Sequence, residues 1–170
     1  MSGSTAPSLP ALLAGVTADR LALLARHEAS ARVVAHYDFN NTYQYVIARE
    51  ETHLRWLQDA LSSYDTAVPV PSSSLGETAI AKGSGAKAAA FRDVLVEDAR
   101  LLAAFVERWQ PRVEGMSHAR HRKMLDVVLG ESREHQRLFE QAATGFEDVL
   151  GRRTAGSPRI GGVLPARWQA

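Results

Sequence analysis

Apolar residues recur every three or four positions through four stretches of the chain, and no stretch sustains an alternation of apolar and polar residues. The pattern predicts four helices and no sheet. The first runs from about Thr17, a suitable N-cap ahead of Ala18 and Asp19, to about His36. The second follows a turn at Asp38-Phe39-Asn40-Asn41-Thr42 and continues to about Ser63. The run from Val68 through Pro69, Pro71 and three serines to Gly76 ends it, and loop character lasts to about Gly85. The third helix spans about Ala86 to Trp109, where Gln110-Pro111 stops it, and the fourth spans about Ser117 to Gly145. Residues 1–16 read as a flexible N-terminal segment, 17–150 as the bundle, and 151–170 as an extended or disordered tail rich in Arg, Gly and Pro.

Connection lengths carry the topology. Short first and third connections make two antiparallel hairpins. A middle connection of roughly twenty residues is long for a compact domain and lets the chain return along the bundle, so that the second and third helices run parallel. The expected fold is an all-α four-helix bundle with one long crossover.

At 170 residues, 45% apolar and 23% charged, the chain suits one globular domain. No stretch approaches the roughly 20 apolar residues that cross a bilayer, and the N-terminus lacks the basic start of a secretory leader. The expectation is a cytoplasmic protein without a membrane partner. The one dense basic run, His118 to Lys123, reads as a solvated helix start, so no nucleic-acid partner is expected. With no cysteine, thiolate sites, disulfides and cysteine nucleophiles are excluded. Any metal must be held by oxygen and imidazole.

Candidates for such ligands interrupt the apolar faces. In the second helix Tyr43, Val46, Ile47, Leu54, Leu57 and Leu61 share a face with Glu50 at its centre and His53 on its flank, an acid and an imidazole at i and i+3. In the first, Leu21, Leu24, Ala25, Ala31 and Ala35 surround Glu28, with His27 at the margin. The third helix encloses Asp98, with Glu97 toward the edge, and the fourth carries Glu131 and His135. A buried carboxylate without a partner is costly, so four of them demand an explanation. Register agrees: residue 39, in the predicted turn, lies midway between Glu28 and Glu50, and the midpoint of Asp98 and Glu131 falls in the predicted third connection. Two divalent cations would neutralise the four acids and accept the imidazoles.

These residues resemble the ferritin-like di-iron carboxylate superfamily, especially rubrerythrin-like and bacterioferritin-like domains, over about residues 17–145. Glu28 matches the first family glutamate, Glu50 to His53 the first E-x-x-H, and Glu97 or Asp98 the third acid. The fourth helix departs from the pattern: Ser132 stands three residues before His135, and Glu131 offers an acid at i+4 spacing instead. The resemblance implies two iron or manganese ions, or fewer if Ser132 has cost one position. It also implies oxidase, peroxidase or ferroxidase chemistry, with electrons from an external donor. The competing reading is a non-catalytic helical module that binds a protein partner or small molecule around a metal-free polar core. Tyr45 and Trp56, off the main apolar stripe, suggest a homodimer.

Overall fold

A computed structural model describes residues 7–76, 80, 85 and 87–152. Among them are four long helices and no strand: α1 (Leu9–Val33), α2 (Tyr37–Ser62), α3 (Arg92–Glu114) and α4 (Ala119–Ala143). A single 3-10 turn, Ala88–Phe91, leads into α3. Helix α1 packs on α2 and α3 on α4, with further contacts of α1 on α3 and α2 on α4. No described helix is long and apolar enough to cross a membrane.

Helix α1 starts eight residues before the expected position. Ser8 caps it, its hydroxyl accepting the Ala11 N–H at 3.4 Å, and Pro10 sits in the first turn, where a missing N–H costs nothing. Thr17 is therefore not a cap. It lies mid-helix, buried, with its hydroxyl donating to the Leu13 carbonyl at 2.7 Å. Residues 9–16 belong to the bundle rather than to a flexible leader, whereas residues 1–6 and 153–170 of the two expected terminal segments lie outside the described residues.

The predicted turn at residues 38–42 is the start of α2. The chain reverses earlier because residues 34–36 suffice. The His36 ring accepts the Phe39 N–H at 3.4 Å, and the Asn40 amide donates to the Ala31 carbonyl in the last turn of α1 at 2.8 Å and to that of its C-cap, Val34, at 3.1 Å. Asn40, read as a turn former, caps the end of α1 instead. Similarly, α3 does not stop at Gln110. Pro111 sits in its last turn, where the Gly115 N–H closes on the Pro111 carbonyl at 3.2 Å. The long connection from α2 to α3 is tied back to α1 by Ser72 N–H to the Ala18 carbonyl, 3.1 Å, and by Arg26 to the Gly76 carbonyl, 3.0 Å.

Among the buried positions of α1, Leu13, Val16, Arg20, Leu23, His27 and Ser30 form one line along the helix, continued by Val34 just past its end and flanked by buried Leu12, Thr17, Ala22 and Arg26. The line follows the alternating three-and-four spacing of a packed seam. Polar residues hold three of its seven positions, so the inward face is not the one that the apolar residues Leu21, Leu24 and Ala25 mark. Glu28 is exposed and Ala25 with it. In α2 the inward face is the expected one, with Tyr43, Val46, Glu50, His53, Leu54, Leu57 and Leu61 all buried.

Where α1 crosses α3 the Trp109 ring lies against the α1 backbone at Gly15. A Cβ on Gly15 would lie 2.6 Å from Trp109 Cη2, and the Trp109 ring is held by its indole N–H bond to Asp19 at 2.8 Å and is 2% exposed. Gly15→Ala is therefore expected to destabilise the protein by about 1–2 kcal/mol, overpacking outweighing the roughly 1 kcal/mol gain in helix propensity. Urea unfolding followed by circular dichroism measures it; a variant more stable than the parent would show that Trp109 is free to move.

Candidate functional site

The interior of the bundle holds a chain of ion pairs that draws on all four helices. At its centre the Arg20 guanidinium of α1, wholly shielded from solvent, donates to Glu50 Oε1 of α2 at 2.8 Å and to the Ser132 hydroxyl of α4. It lies 4.3 Å from the centroid of the Phe105 ring of α3. Ser132 passes the bond on, its hydroxyl donating to the Val128 carbonyl at 2.6 Å. The second Glu50 oxygen meets His27 Nδ1 at 2.9 Å. Burial alone would raise the Glu50 carboxyl, but His27 and Arg20 outweigh it and hold it below the ordinary range. Glu50 is an anion with its countercation built into the chain.

Two further pairs repeat the arrangement. Asp98 Oδ1 accepts Arg26 Nε at 2.6 Å, and its other oxygen accepts the Tyr43 hydroxyl. Burial and then the Asp98 charge push the Tyr43 phenol well above its ordinary value, so it remains a donor. Nearer the surface Glu131 takes a two-pronged bond from Arg49, 2.9 and 2.8 Å, and a contact from His53 Nε2 at 2.8 Å. The Arg49 bonds come first among the causes that lower the Glu131 carboxyl.

The seven residues expected to hold metal therefore separate. Glu50, His53, Glu131 and His135 lie in one electrostatically coupled group. Asp98 belongs to the Arg26–Tyr43 cluster. Glu97 is on the outer side of α3, bonded to Arg100 at 2.8 and 2.6 Å, and Glu28 is exposed on α1. The inward placement read for Glu28 is corrected by the position of the turn. With the connection at residues 34–36 its centre is residue 35, which is midway between Arg20 and Glu50, so Arg20 takes the height assigned to Glu28.

This arrangement does not suit two metal ions. Each of the three inward-pointing carboxylates already meets an arginine, and a cation bound at Glu50 would have to displace a guanidinium that makes bonds to two helices. Among the described residues only His36, Asp38 and Glu147, at one end of the molecule, bring three ligand atoms within 4.8 Å of one another. There the His36 Nδ1 already accepts the Phe39 N–H, which leaves the ring proton on Nε2, facing Glu147 at 3.0 Å.

Arg20, Arg26, His27, Arg49 and Ser132 complete the site, and only Ser132 and His27 drew notice in the sequence. The seam spacing of α1 from Leu13 to Val34 is the signal that would have found Arg20 and His27. No protein-family model, no curated protein and no solved structure matches this chain.

His53 and His135 lie side by side in the same layer, ring centroids 6.4 Å apart. Burial first, then the Arg20 charge, lowers His53 to about 4, and burial with Arg20 and His53 lowers His135 to about 4 despite Glu50. Both rings are neutral in the folded protein near neutral pH. The unfolded chain, with histidines at about 6.5, binds more protons as pH falls, so stability is full above about 6.5 and is lost between there and 4. Each ring is expected to contribute up to about 3 kcal/mol of that loss. Thermal unfolding from pH 7 to pH 4 measures the slope; His135→Gln is expected to flatten it, and an unchanged slope would contradict the assignment.

Proposed function

We propose that this chain is a four-helix module of the ferritin-like kind whose polar core works without metal, and whose role is to bind a partner or small molecule. Side-chain contacts support the ferritin-like path. Along α1 and α3 the contacts Gly15 to Trp109, Asp19 to Arg108, Arg20 to Phe105 and Arg26 to Asp98 rise in one helix as they fall in the other. The same inverse order links α2 to α4 through Tyr43 to Phe139 and Arg49 to Glu131, continued just past α2 by Tyr64 to His121. Between α1 and α4, Arg20 to Ser132 and His27 to Phe139 rise together. Those directions favour antiparallel pairs and parallel α2 and α3, with the long connection as the crossover.

The observation that carries the functional reading is the Arg20 guanidinium between Glu50 and Ser132. A metal centre neutralises buried carboxylates with ions that can leave. Here the compensating charge is covalent, which suits a permanent structural core better than one that cycles between oxidation states. The di-iron or di-manganese oxidoreductase reading would need Arg20 to withdraw from the centre.

Protein grown with ample iron and manganese is expected to carry neither in stoichiometric amount, and its melting temperature is expected to be the same with and without a chelator. Arg20→Met should cost about 3–5 kcal/mol, since it leaves Glu50 buried without its cation. Adding Glu50→Gln to that variant should recover part of the loss, a coupling that a double-mutant cycle reads directly. Stoichiometric iron or manganese bound at Glu50 and His53, or an Arg20→Met protein as stable as the parent, would restore the metal reading.

A further inference from the structure

Beside the polar core, between the end of α2 and the start of α4, lies a groove of about 530 Å³. Its size falls within the range of roughly 300–1,000 Å³ typical of small-molecule sites. Trp56, Tyr64 and Met124, all half-buried, supply apolar and aromatic surface, and the His118 and His121 rings stack at 4.3 Å between centroids. Tyr64 tilts against His121 at 5.7 Å. The residue His121 is 9% exposed, and among the described residues its only hydrogen bond to a side chain is made by its backbone N–H, to the His118 ring. An imidazole that lines a groove and keeps its ring nitrogens free of protein partners can hydrogen-bond to a ligand there.

The charges around the groove select the partner. Arg120 stands exposed on its rim and forms no ion pair among the described residues, and the N-terminus of the 25-residue α4 opens beside it. Both favour an anion. Asp59 on the α2 side disfavours a second negative charge deeper in. Burial, then the His118 and Arg120 charges, lowers the His121 imidazole, so it meets a ligand as a neutral ring with one donor and one acceptor.

We propose that this groove is a binding site for a planar aromatic molecule bearing a single anionic group, a carboxylate or a phosphate. The ring lies against Trp56, Tyr64 and the imidazole pair, the anion meets Arg120 and the first turn of α4, and His121 hydrogen-bonds to the ligand. The proposal deepens the binding role above and rests on it, but its test is independent of what the core holds.

Phenyl phosphate, benzoate, inorganic phosphate and benzyl alcohol are titrated into the full chain and followed by calorimetry and by the imidazole and aromatic resonances. Phenyl phosphate or benzoate is expected to bind saturably, one per chain, shifting His121 and Tyr64; whichever binds more tightly identifies the anion. Inorganic phosphate and benzyl alcohol, each with half of the recognition elements, should bind at least about tenfold more weakly. Arg120→Ala, at an exposed rim position, should weaken binding about tenfold, and His121→Phe should do likewise, while Arg112→Ala, away from the groove, should not. No saturable shift with either aromatic anion overturns the site, as does inorganic phosphate binding as tightly, or a folded Arg120→Ala protein with unchanged affinity. Metal in the core alongside an intact groove titration would sink only the metal-free role of the core.

Discussion

The Arg20–Glu50 pair is the interaction on which the interior is organised. One side chain from α1 bonds to α2 and α4 and lies on an aromatic ring of α3, so a single guanidinium touches every helix of the bundle. An ion pair with both side chains at zero exposure gives up the hydration of two charges, and the attraction between them offsets that only while the geometry holds. A slip of α1 by one residue would leave Glu50 without its cation. Apolar contacts alone tolerate such a slip far better, because a leucine seam is nearly periodic. The pair therefore acts on register more than on net stability.

Around that pair the polar groups are graded by depth. Arg26–Asp98 is almost as shielded as Arg20–Glu50, whereas Arg49 and Glu131 keep about a third of their side-chain surface in water. Coulomb energy scales inversely with the effective dielectric, so the two inner pairs act strongly on helix placement and the outer one weakly. His27 and His53 join the layers, each bridging to a carboxylate of another helix. Burial, reinforced by the Arg20 charge, keeps His53 and His135 neutral well below ordinary histidine titration. Four helices with polar residues on their seams are thus stabilised by charges that belong to the chain.

Much of the fold could be read from the chain, and the failures have particular causes. Helix α2 is strongly amphipathic, and its inward face was legible down to Glu50 and His53. Helix α1 was not, because polar residues hold inward positions while Leu21 and Leu24 stand off the seam, so hydrophobicity pointed to the wrong face. A misplaced turn completed the error. Asp38 to Thr42 have the composition of a loop, yet Asn40 caps α1 and lets the chain reverse four residues earlier. Moving the reversal from residue 39 to residue 35 exchanges Glu28 for Arg20 opposite Glu50, and with it an anion for a cation.

By itself the sequence determined the helical class, the number of helices, the order of short and long connections, the exclusion of thiol chemistry and the burial of Glu50 and Asp98. Those follow from periodicity, from turn chemistry and from composition, which are local properties. Tertiary structure alone decided what meets the buried carboxylates. Arg26 and Arg49 look like ordinary surface arginines in one dimension, and Arg20 is marked only by its place in the three-and-four seam of α1, since a long cationic side chain does not itself signal burial. Only the packing of α1 against three other helices turns Arg20 inward, and that packing depends on where the chain reverses and on distances between residues more than a hundred positions apart.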